Sequence, residues 1–312
     1  MLKKGFQLFA FNSYLHTKPK IMYREFTRIL VPMDLSPTSI IAYKHAVFLA
    51  KHLKSEVYLL HVKETTTVNN LIRNVFVKEK DNSEKDVNVI NAKFDEFISD
   101  LSNQGIKAHK KIMEGTVYVQ TLNYAKEMNA SLICMGTHGS KGVENFIGGS
   151  NTFRVVNNAK CPVLSLHDDS GTKGIKDIIL PLDSSRDTRE KVDDAIYVAK
   201  KFGSTIHVVG VSTSTDVMVL NRLKIITRQV SDYINEDKIT TIEGFMTGKN
   251  LASVTLEYAK QKDADLIIIM TEQESSSGFL AGPYSQQMIN QSSIPILSVR
   301  PQEKSTEFVT PY

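Results

Sequence analysis

The sequence predicts an α/β protein with two tandem domains, each a five-stranded parallel sheet that carries helices on both faces. Two observations predict this fold. Short continuous apolar runs alternate with stretches of helical periodicity along the 312 residues, and the whole series then repeats once. Hydrophobic residues make up 41% of the chain, which is enough to give each half its own packed core.

The repeat is clearest in the strands. Arg28–Asp34 of the first half matches Asp177–Asp183 of the second, and each run passes through a proline to an aspartate. Proline lacks the N–H group that a strand ladder needs, so we expect Pro32 and Pro181 near the ends of their strands. The other matched runs are Glu56–Val62 with Thr205–Val211, Ala130–Met135 with Asp265–Met270, and Cys161–Leu166 with Ile294–Val299.

The helices are predicted from apolar residues that fall on one face at helical spacing. Ser36 is the expected N-cap of the first helix, because it precedes Pro37, which fits the first helical turn. The apolar stripes are Ile40, Tyr43, Val47 and Ala50; Val87, Ile90, Phe94, Phe97 and Leu101; Leu122, Ala125 and Met128; Val192, Ile196, Ala199 and Phe202; Leu223, Val230 and Tyr233; and Leu251, Val254 and Tyr258.

These elements divide the chain into five parts. We expect an N-terminal tail, a first domain, a short linker, a second domain and a C-terminal tail. Their predicted bounds are residues 1–22, 23–168, 169–174, 175–302 and 303–312. Residues 65–85 are polar and poorly periodic, which favours an insertion or flexible loop within the first domain.

Composition narrows the classes of partner. The formal charge of +4 is spread thinly along the chain, which argues against a nucleic-acid or membrane-surface role. Apolar runs stay well short of the roughly 18 residues that a membrane span needs. Cys134 and Cys161 share no metal-ligand spacing, so we expect two buried thiols in a reducing, cytoplasmic compartment.

One loop carries the main functional signal. Met135-Gly136-Thr-His138-Gly139 follows the fourth strand, and after nine further residues Gly149-Ser150-Asn151 opens a predicted helix. Glycines let a backbone approach a ligand closely, and the N–H groups at a helix start attract anions. The pattern favours a phosphate site, with an ordinary strand–loop–helix turn as the alternative. His138 could contact a phosphate or act as a base, or simply face solvent.

Two further residues end strands at the same predicted edge of the sheet. Asp34 suits a ribose hydroxyl or a phosphate-bound Mg²⁺, or alternatively caps the helix that begins near Pro37. Val62 could offer its backbone N–H and C=O to an adenine edge, or be plain core.

Asp34, Leu59-Leu-His-Val62 and Gly136-x2-Gly139-x9-Gly149-Ser150 together closely resemble the universal stress protein family, and the glycine spacing is that of its ATP-binding members. The resemblance covers residues 24–168 in full and 175–301 more weakly. It implies the strand order 3-2-1-4-5, pairing of the two domains through their fifth strands, and the option of a homo-oligomer. It also implies ATP, with or without Mg²⁺, as the ligand. By the same resemblance, Asp34 and Val62 would hold the nucleoside, and Met135 and Gly136 would line the ribose. The residues that would bind the phosphates are Gly139, Gly149, Ser150 and Asn151.

The second half departs from this pattern. When Met135 is aligned with Met270, Thr271 stands in place of Gly136 and Glu274 in place of Gly139, and the loop of the second half is two residues shorter. When the two halves are aligned backwards from Pro295, Gly282 matches Gly149, but Pro283 stands in place of Ser150. A carboxylate repels phosphate and proline removes an N–H group, so we expect one competent and one degenerate site.

The leading hypothesis is therefore a stress-response protein that binds an adenine nucleotide in its first half without catalysing a reaction. Two rivals stay open: a slow ATP hydrolase that uses the same site, and an interaction module with a vestigial pocket.

Overall fold

A computed structural model describes residues 24–64, 83–137, 151–167, 170–171, 174–184, 190–271 and 283–300. The two predicted tails and most of the predicted insertion lie outside these ranges. So does the centre of the glycine-rich loop. Within the described ranges, every helix is too short or too polar to cross a membrane.

The two halves have the same order of elements. The first half contains β1 (Arg28–Pro32), α1 (Pro37–Leu53), β2 (Glu56–Lys63), α2 (Ser83–Asn103), β3 (Ala108–Glu114), α3 (Val117–Glu127), β4 (Leu132–Gly136), α4 (Asn151–Asn158) and β5 (Val163–Leu166). The second half contains β6 (Asp177–Leu182), α5 (Val192–Phe202), β7 (Thr205–Ser212), α6 (Val217–Glu236), β8 (Thr241–Thr247), α7 (Leu251–Gln261), β9 (Leu266–Met270), α8 (Pro283–Gln291) and β10 (Ile296–Val299).

All ten strands join one sheet, in the order β3-β2-β1-β4-β5-β10-β9-β6-β7-β8. Each half therefore has the predicted order 3-2-1-4-5, and its strands are parallel. The halves meet where β5 and β10 pair antiparallel, with Leu164 opposite Leu297. This pairing covers two apolar edges that would otherwise be exposed. Because the two half-sheets run in opposite directions, their carboxyl ends lie at opposite ends of the molecule.

The sheet separates two core layers. One lies under α1, α2, α5 and α6, and the other under α3, α4, α7 and α8. Strands β1 and β6 are buried almost throughout because helices cover both faces, and this explains their continuous apolar sequences. Cys134 and Cys161 are buried thiols, as predicted, and burial raises the pKa of both.

Packing across the centre joins the halves beyond the strand pair. The rings of Phe48 on α1 and Phe202 on α5 stack with their centroids 5.6 Å apart. The N–H of Phe26, just before β1, donates to the Tyr197 hydroxyl of α5 at 3.2 Å. Phe26 and Tyr197 are buried, and Phe48 and Phe202 are partly buried, so the two halves also pack against each other through their helices.

Local start and stop signals agree with the sequence. Ser36 is the N-cap of α1, and its hydroxyl accepts the Ser39 N–H at 3.3 Å. The C-cap residues that follow the two helices, Lys54 after α1 and Gly203 after α5, both have left-handed backbone (φ 58° and 68°). Pro32 is the last residue of β1, where its missing N–H is harmless.

The structure corrects the alignment of the fourth strands. Gly136 lies opposite Leu166 in β4–β5, and Met270 lies opposite Val299 in β9–β10. The N–H groups of Thr137 and Thr271 donate, each at 2.7 Å, to the carbonyls of those two partners. Met270, not Thr271, is therefore the equivalent of Gly136. Matching the methionines was wrong by one residue because two short apolar runs carry no register signal of their own.

Candidate functional site

The carboxyl ends of β1, β2 and β4 form one edge of the first half. Strand β1 lies between the other two, and the chain winds away from it in opposite directions on its two sides. In doubly wound sheets a crevice opens at this switch point. The structure brings Asp34, Val62, Met135, Gly136 and Asn151 to this edge. Gly139, Gly149, Ser150 and His138 lie outside the described residues.

Asp34 is an exposed carboxylate in a tight turn. Its Oδ1 accepts the Ser36 N–H at 2.9 Å, and Leu35 between them has left-handed backbone (φ 62°). Partial burial would raise the pKa of Asp34, but hydrogen bonds from Ser36 and Ser39 outweigh it and the pKa is lowered. Asp34 is thus ionised at neutral pH. The N-cap of the helix is Ser36, so the alternative in which Asp34 caps this helix was wrong.

The hydrogen-bond ladder between β1 and β2 ends just before Val62. Its last register pair is Pro32 with Leu60, and the Met33 N–H donates to the Leu60 carbonyl at 2.7 Å. Alternate residues of a strand direct their backbone N–H and C=O groups to the same neighbouring strand. The backbone groups of Val62 therefore face the β1 side, as those of Leu60 do, but lie beyond the last pair of the β1–β2 ladder. The Val62 backbone therefore borders the crevice, while its side chain is buried in the core, as predicted.

His61 contributes a contact that sequence reasoning missed. Its Nδ1 lies 2.9 Å from the Met33 carbonyl, and it must donate there because a carbonyl can only accept. This bond occupies the carbonyl that would be the next ladder partner for Val62 if β1 ran one residue further. In the second half the equivalent ladder does run one residue further, to Leu182 opposite Gly210.

Gly136 is needed for packing. A Cβ atom there would lie 2.6 Å from the Thr38 carbonyl oxygen, far inside van der Waals contact, because the first turn of α1 crosses the end of β4. Its backbone does not have a left-handed φ, so this position requires glycine for its missing Cβ and not for its conformational freedom. Met135 beside it is buried in the core, so only its backbone can face the crevice.

Hydrogen bonds hold the two ends of the glycine-rich loop together. Thr137 donates its N–H and its hydroxyl to the Leu166 carbonyl, at 2.7 and 3.0 Å. The Thr152 hydroxyl donates to the Gly136 carbonyl at 2.8 Å, which joins the first turn of α4 to the end of β4. The described residues on either side of 138–150 therefore lie together at the start of α4. The N–H groups in the first turn of a helix have no acceptor within it.

A glycine at the end of β3 was also missed. The N–H of Gly115 donates to the Lys63 carbonyl at 3.0 Å, and that of its equivalent, Gly248, donates to the Ser212 carbonyl at 3.1 Å. The signal was present in the sequence, as Met113-Glu-Gly115 repeated by Met246-Thr-Gly248. It was overlooked because β3 is half exposed and contains lysines, so no apolar run marks it.

The second half has the same frame with different side chains at its carboxyl edge. Asp183 and Val211 keep the positions of Asp34 and Val62. With the corrected register, Met270 replaces Gly136 and Tyr284 replaces Asn151. The loop between the equivalent anchors is one residue shorter, not two, and counting from the strand matches Gly139 with Gln273 instead of Glu274.

Comparison with known sequences places this arrangement in a family. The model of the universal stress protein family matches residues 25–167 and, a second time, residues 174–300. The chain belongs to the universal stress protein family. It is 30% identical over 172 residues to a universal stress protein of Methanocaldococcus jannaschii, which covers 52% of this chain and 95% of the relative. It is also 32% identical over 156 residues to the universal stress protein YxiE of Bacillus subtilis. That match covers 45% of this chain and 97% of the relative.

The tandem arrangement has a counterpart among solved structures. A universal stress protein from Archaeoglobus fulgidus superposes with a TM-score of 0.72 and covers 91% of this chain and 99% of its own. The two sequences are only 19% identical. The likeness is therefore one of fold, and it extends across both halves.

Proposed function

We propose that the first half binds one adenine nucleotide, ATP, and that the protein acts as a cytoplasmic stress-response regulator through this ligand. The observation that carries the proposal is the convergence of three groups at the switch point. These are the ionised Asp34, the open backbone of Val62 and the start of α4. Membership of the family supports the same ligand class.

Each group fits one part of a nucleotide. The N–H and C=O of Val62 can pair with the donor and acceptor atoms of an adenine edge. Asp34, exposed and acceptor-only, fits a ribose hydroxyl or a phosphate-bound Mg²⁺. Backbone at Met135 and Gly136 would border the ribose.

The phosphates would lie at the start of α4. Free N–H groups and the positive end of the helix dipole favour negative charge there. Gly139, Gly149, Ser150 and Asn151 would form the phosphate cradle. The hydrogen bonds of Thr137 and Thr152 fix both ends of this loop, so the cradle would be held against the helix start.

Mass spectrometry of small molecules released from freshly purified protein tests the ligand. We expect an adenine nucleotide, and titration calorimetry on stripped protein should give one site per chain. Two equivalent sites, or none, would contradict the proposal. A hydrolysis time course then separates a binding protein, which leaves ATP intact, from a slow hydrolase.

A matched pair of variants locates the site. Asp34→Asn should weaken ATP binding by about tenfold, since a charge-assisted hydrogen bond contributes roughly 1.5–3 kcal/mol. Asp183→Asn, at the equivalent position of the second half, should leave the affinity unchanged. Equal effects of the two substitutions would place the nucleotide elsewhere.

A further inference from the structure

Helices α2 and α6 carry most of the exposed large apolar side chains. Six such side chains are exposed in the part of the chain that the structure describes, and four of them lie on these two helices. They are Val89 on α2 (64% exposed) and Val217, Met218 and Ile225 on α6 (67%, 71% and 49%). Met218 and Ile225 are seven residues apart, so they lie two turns apart on one face. A helix that only faces water carries polar residues there, so this outer face of α6 is typical of an interaction surface.

The same two helices carry opposite charges. Residues 217–228 of α6 include three exposed cations and no carboxylate, and residues 95–103 of α2 include three exposed carboxylates and no cation. The cations are Arg222, Lys224 and Arg228, and the carboxylates are Asp95, Glu96 and Asp100. Asp100 lies in the last turn of α2, where the helix dipole favours a cation, so the stability of its own helix does not explain this residue.

The fold places these two charged segments at the same edge of the sheet. Helix α2 covers β2 and β3, and α6 covers β7 and β8, so the two helices lie on one face at opposite ends of the ten strands. Each helix starts at the carboxyl edge of its own half-sheet and runs back to the amino edge. Because the half-sheets are antiparallel, the acidic end of α2 and the basic start of α6 lie at one common edge.

We propose that this face binds a second copy of the chain, with α2 of each copy packed antiparallel against α6 of the other. A twofold axis parallel to the strands, in the plane between the two faces, exchanges the two ends of the sheet and keeps the common edge in place. It sets the acidic segment of each α2 opposite the basic segment of an α6, twice in one dimer. Such a pair is closed, because every copy of the surface is matched. The pairing does not depend on the nucleotide site.

The outer face of α2 can receive the apolar side chains of α6. Ala92 and Ser99 are small and exposed, and they follow Val89 at helical spacing. Met218 and Ile225 would pack on this stripe. The two helices contain 21 and 20 residues, so both are about 30 Å long and can lie side by side over their whole length. One helix pair is small for a stable dimer, and the two pairs of a twofold dimer double the buried area.

The charges favour this partner over a copy of the same helix. Helix α2 carries five carboxylates and two lysines, so α2 paired with itself would bring like net charges together. Glu96 and Asp95 already pair with Lys93 and Lys110 within the chain. These pairs are exposed and contribute little, and a carboxylate can accept further hydrogen bonds from the cations of α6.

Sedimentation equilibrium of the full chain measures the pairing, and we expect a dimer. Ile225→Glu should raise its dissociation constant at least about a hundredfold, because it buries an unpaired carboxylate in each of two contacts. Ile242→Glu is the matched control. Ile242 is 43% exposed on β8, and Gly244 of the same strand faces Tyr258 of α7, so Ile242 lies on the opposite face of the sheet. This control should change the dissociation constant by less than about threefold.

Charge exchange tests which helices meet. Arg222→Glu with Lys224→Glu should weaken the dimer at least about tenfold, and so should Glu96→Lys with Asp100→Lys. All four substitutions together should restore the wild-type dissociation constant within about threefold, because each reversed charge again faces its opposite. A monomer at all concentrations, an open-ended series of larger species, or equal effects of Ile225→Glu and Ile242→Glu would overturn the proposal. Failure of the fourfold variant to regain pairing would also overturn it.

Discussion

The carboxyl edges of the two halves differ although their frames are the same. The first edge has an exposed aspartate, a glycine where α1 crosses β4, and a strand that stops short of Val62. The second edge has a partly buried aspartate, a methionine in place of the glycine, and a ladder that runs one residue further. The two halves share their core positions and differ in the side chains at the ends of their strands.

The backbone of the first turn reinforces this difference. Leu35 has a left-handed φ of 62°, which costs roughly 1–2 kcal/mol for a residue with a Cβ. Its equivalent Ser184 has no such conformation. The paired left-handed residues elsewhere, such as Lys54 and Gly203, occur in both halves and belong to the frame. The left-handed backbone at Leu35 has no counterpart at Ser184, and this difference agrees with a site at the end of β1.

The largest expected effect comes from Gly136→Met, which gives the first half the equivalent residue of the second. A Cβ at this point would lie 2.6 Å from the Thr38 carbonyl, so the start of α1 must move and take Asp34 with it. We expect a loss of about 1–3 kcal/mol of stability. Nucleotide affinity should fall by about a hundredfold, or roughly 3 kcal/mol. Calorimetric titration and urea unfolding measure the two quantities.

The reverse substitution, Met270→Gly, is its control. It removes buried volume from the second half and should lower stability without changing nucleotide affinity. A comparable loss of affinity in both variants would mean that the two crevices do not differ in the way described.

The next effect is a pH dependence that Lys191 contributes in the second half. The native pKa of Lys191 is about 8, against 10.5 for an ordinary lysine, so the unfolded chain binds this proton more tightly between those values. The free energy of unfolding should therefore rise with pH through this window. The gain is on the order of 2–3 kcal/mol, at about 1.4 kcal/mol per pKa unit.

Lys191→Met isolates this contribution. Asp183, Tyr284 and the other titratable groups are common to both proteins, so the difference between their unfolding free energies, measured from pH 7 to pH 10.5, reports Lys191. A difference that stays constant across this range would show that Lys191 is not buried in its charged form.

The sequence was sufficient for the frame of the fold. Continuous apolar runs such as Ile29–Val31 predict doubly covered strands, and Ser36-Pro37 fixes the start of a helix. The 149-residue offset between Asp34 and Asp183 predicts the duplication. All of these are local patterns, or repeats of local patterns. Strand order came from the family resemblance, and the structure agrees with it.

The details of the site depend on contacts that local patterns do not contain. The register of β9 is set by hydrogen bonds to β10, so matching Met135 with Met270 gave the wrong residue. The role of Gly136 depends on Thr38, nearly one hundred residues earlier in the chain. Lys191 resembles any charged residue before a helix, and only its burial distinguishes it.

A smaller effect is expected at His61. His61→Gly, which imitates Gly210, removes the donor to the Met33 carbonyl and frees that carbonyl for the N–H of Val62. The β1–β2 ladder would then extend over the Val62 backbone groups that we propose pair with adenine. We expect a loss of about tenfold in nucleotide affinity, equivalent to one hydrogen bond or about 1.4 kcal/mol.

Hydrogen exchange of the Val62 amide gives an independent readout of this change. The amide should become more protected in His61→Gly than in wild type, measured without nucleotide. His61→Asn, which keeps a side-chain donor, is the control and should resemble wild type more closely. Unchanged protection in the glycine variant would show that His61 does not end the ladder.

A last pH effect is expected at a buried position that both halves use. His45 on α1 and Asp194 on α5 are equivalent, and they are 6% and 7% exposed. His45 has its pKa lowered by burial, although its Nε2 donates to the Ser170 carbonyl at 3.3 Å. Burial raises the pKa of Asp194 to about 6, with Arg24 acting against the shift. In each half, burial at this position favours the neutral form.

Asp194→Asn tests whether the fold needs that neutral form. Native Asp194 binds its proton more tightly than the unfolded chain between about pH 4 and 6, so its contribution to stability falls as the pH rises through this window. Within the described part of the chain its Oδ1 accepts no hydrogen bond, and nothing beyond the charge of Arg24 compensates the ionised form. The variant should therefore nearly match wild type at pH 4 and exceed it by about 2 kcal/mol at pH 7, at about 1.4 kcal/mol per pKa unit. A difference independent of pH, measured by urea unfolding at both values, would mean that Arg24 keeps Asp194 ionised. The two halves would then use this shared position in opposite ways, with a neutral histidine in one and an ion pair in the other.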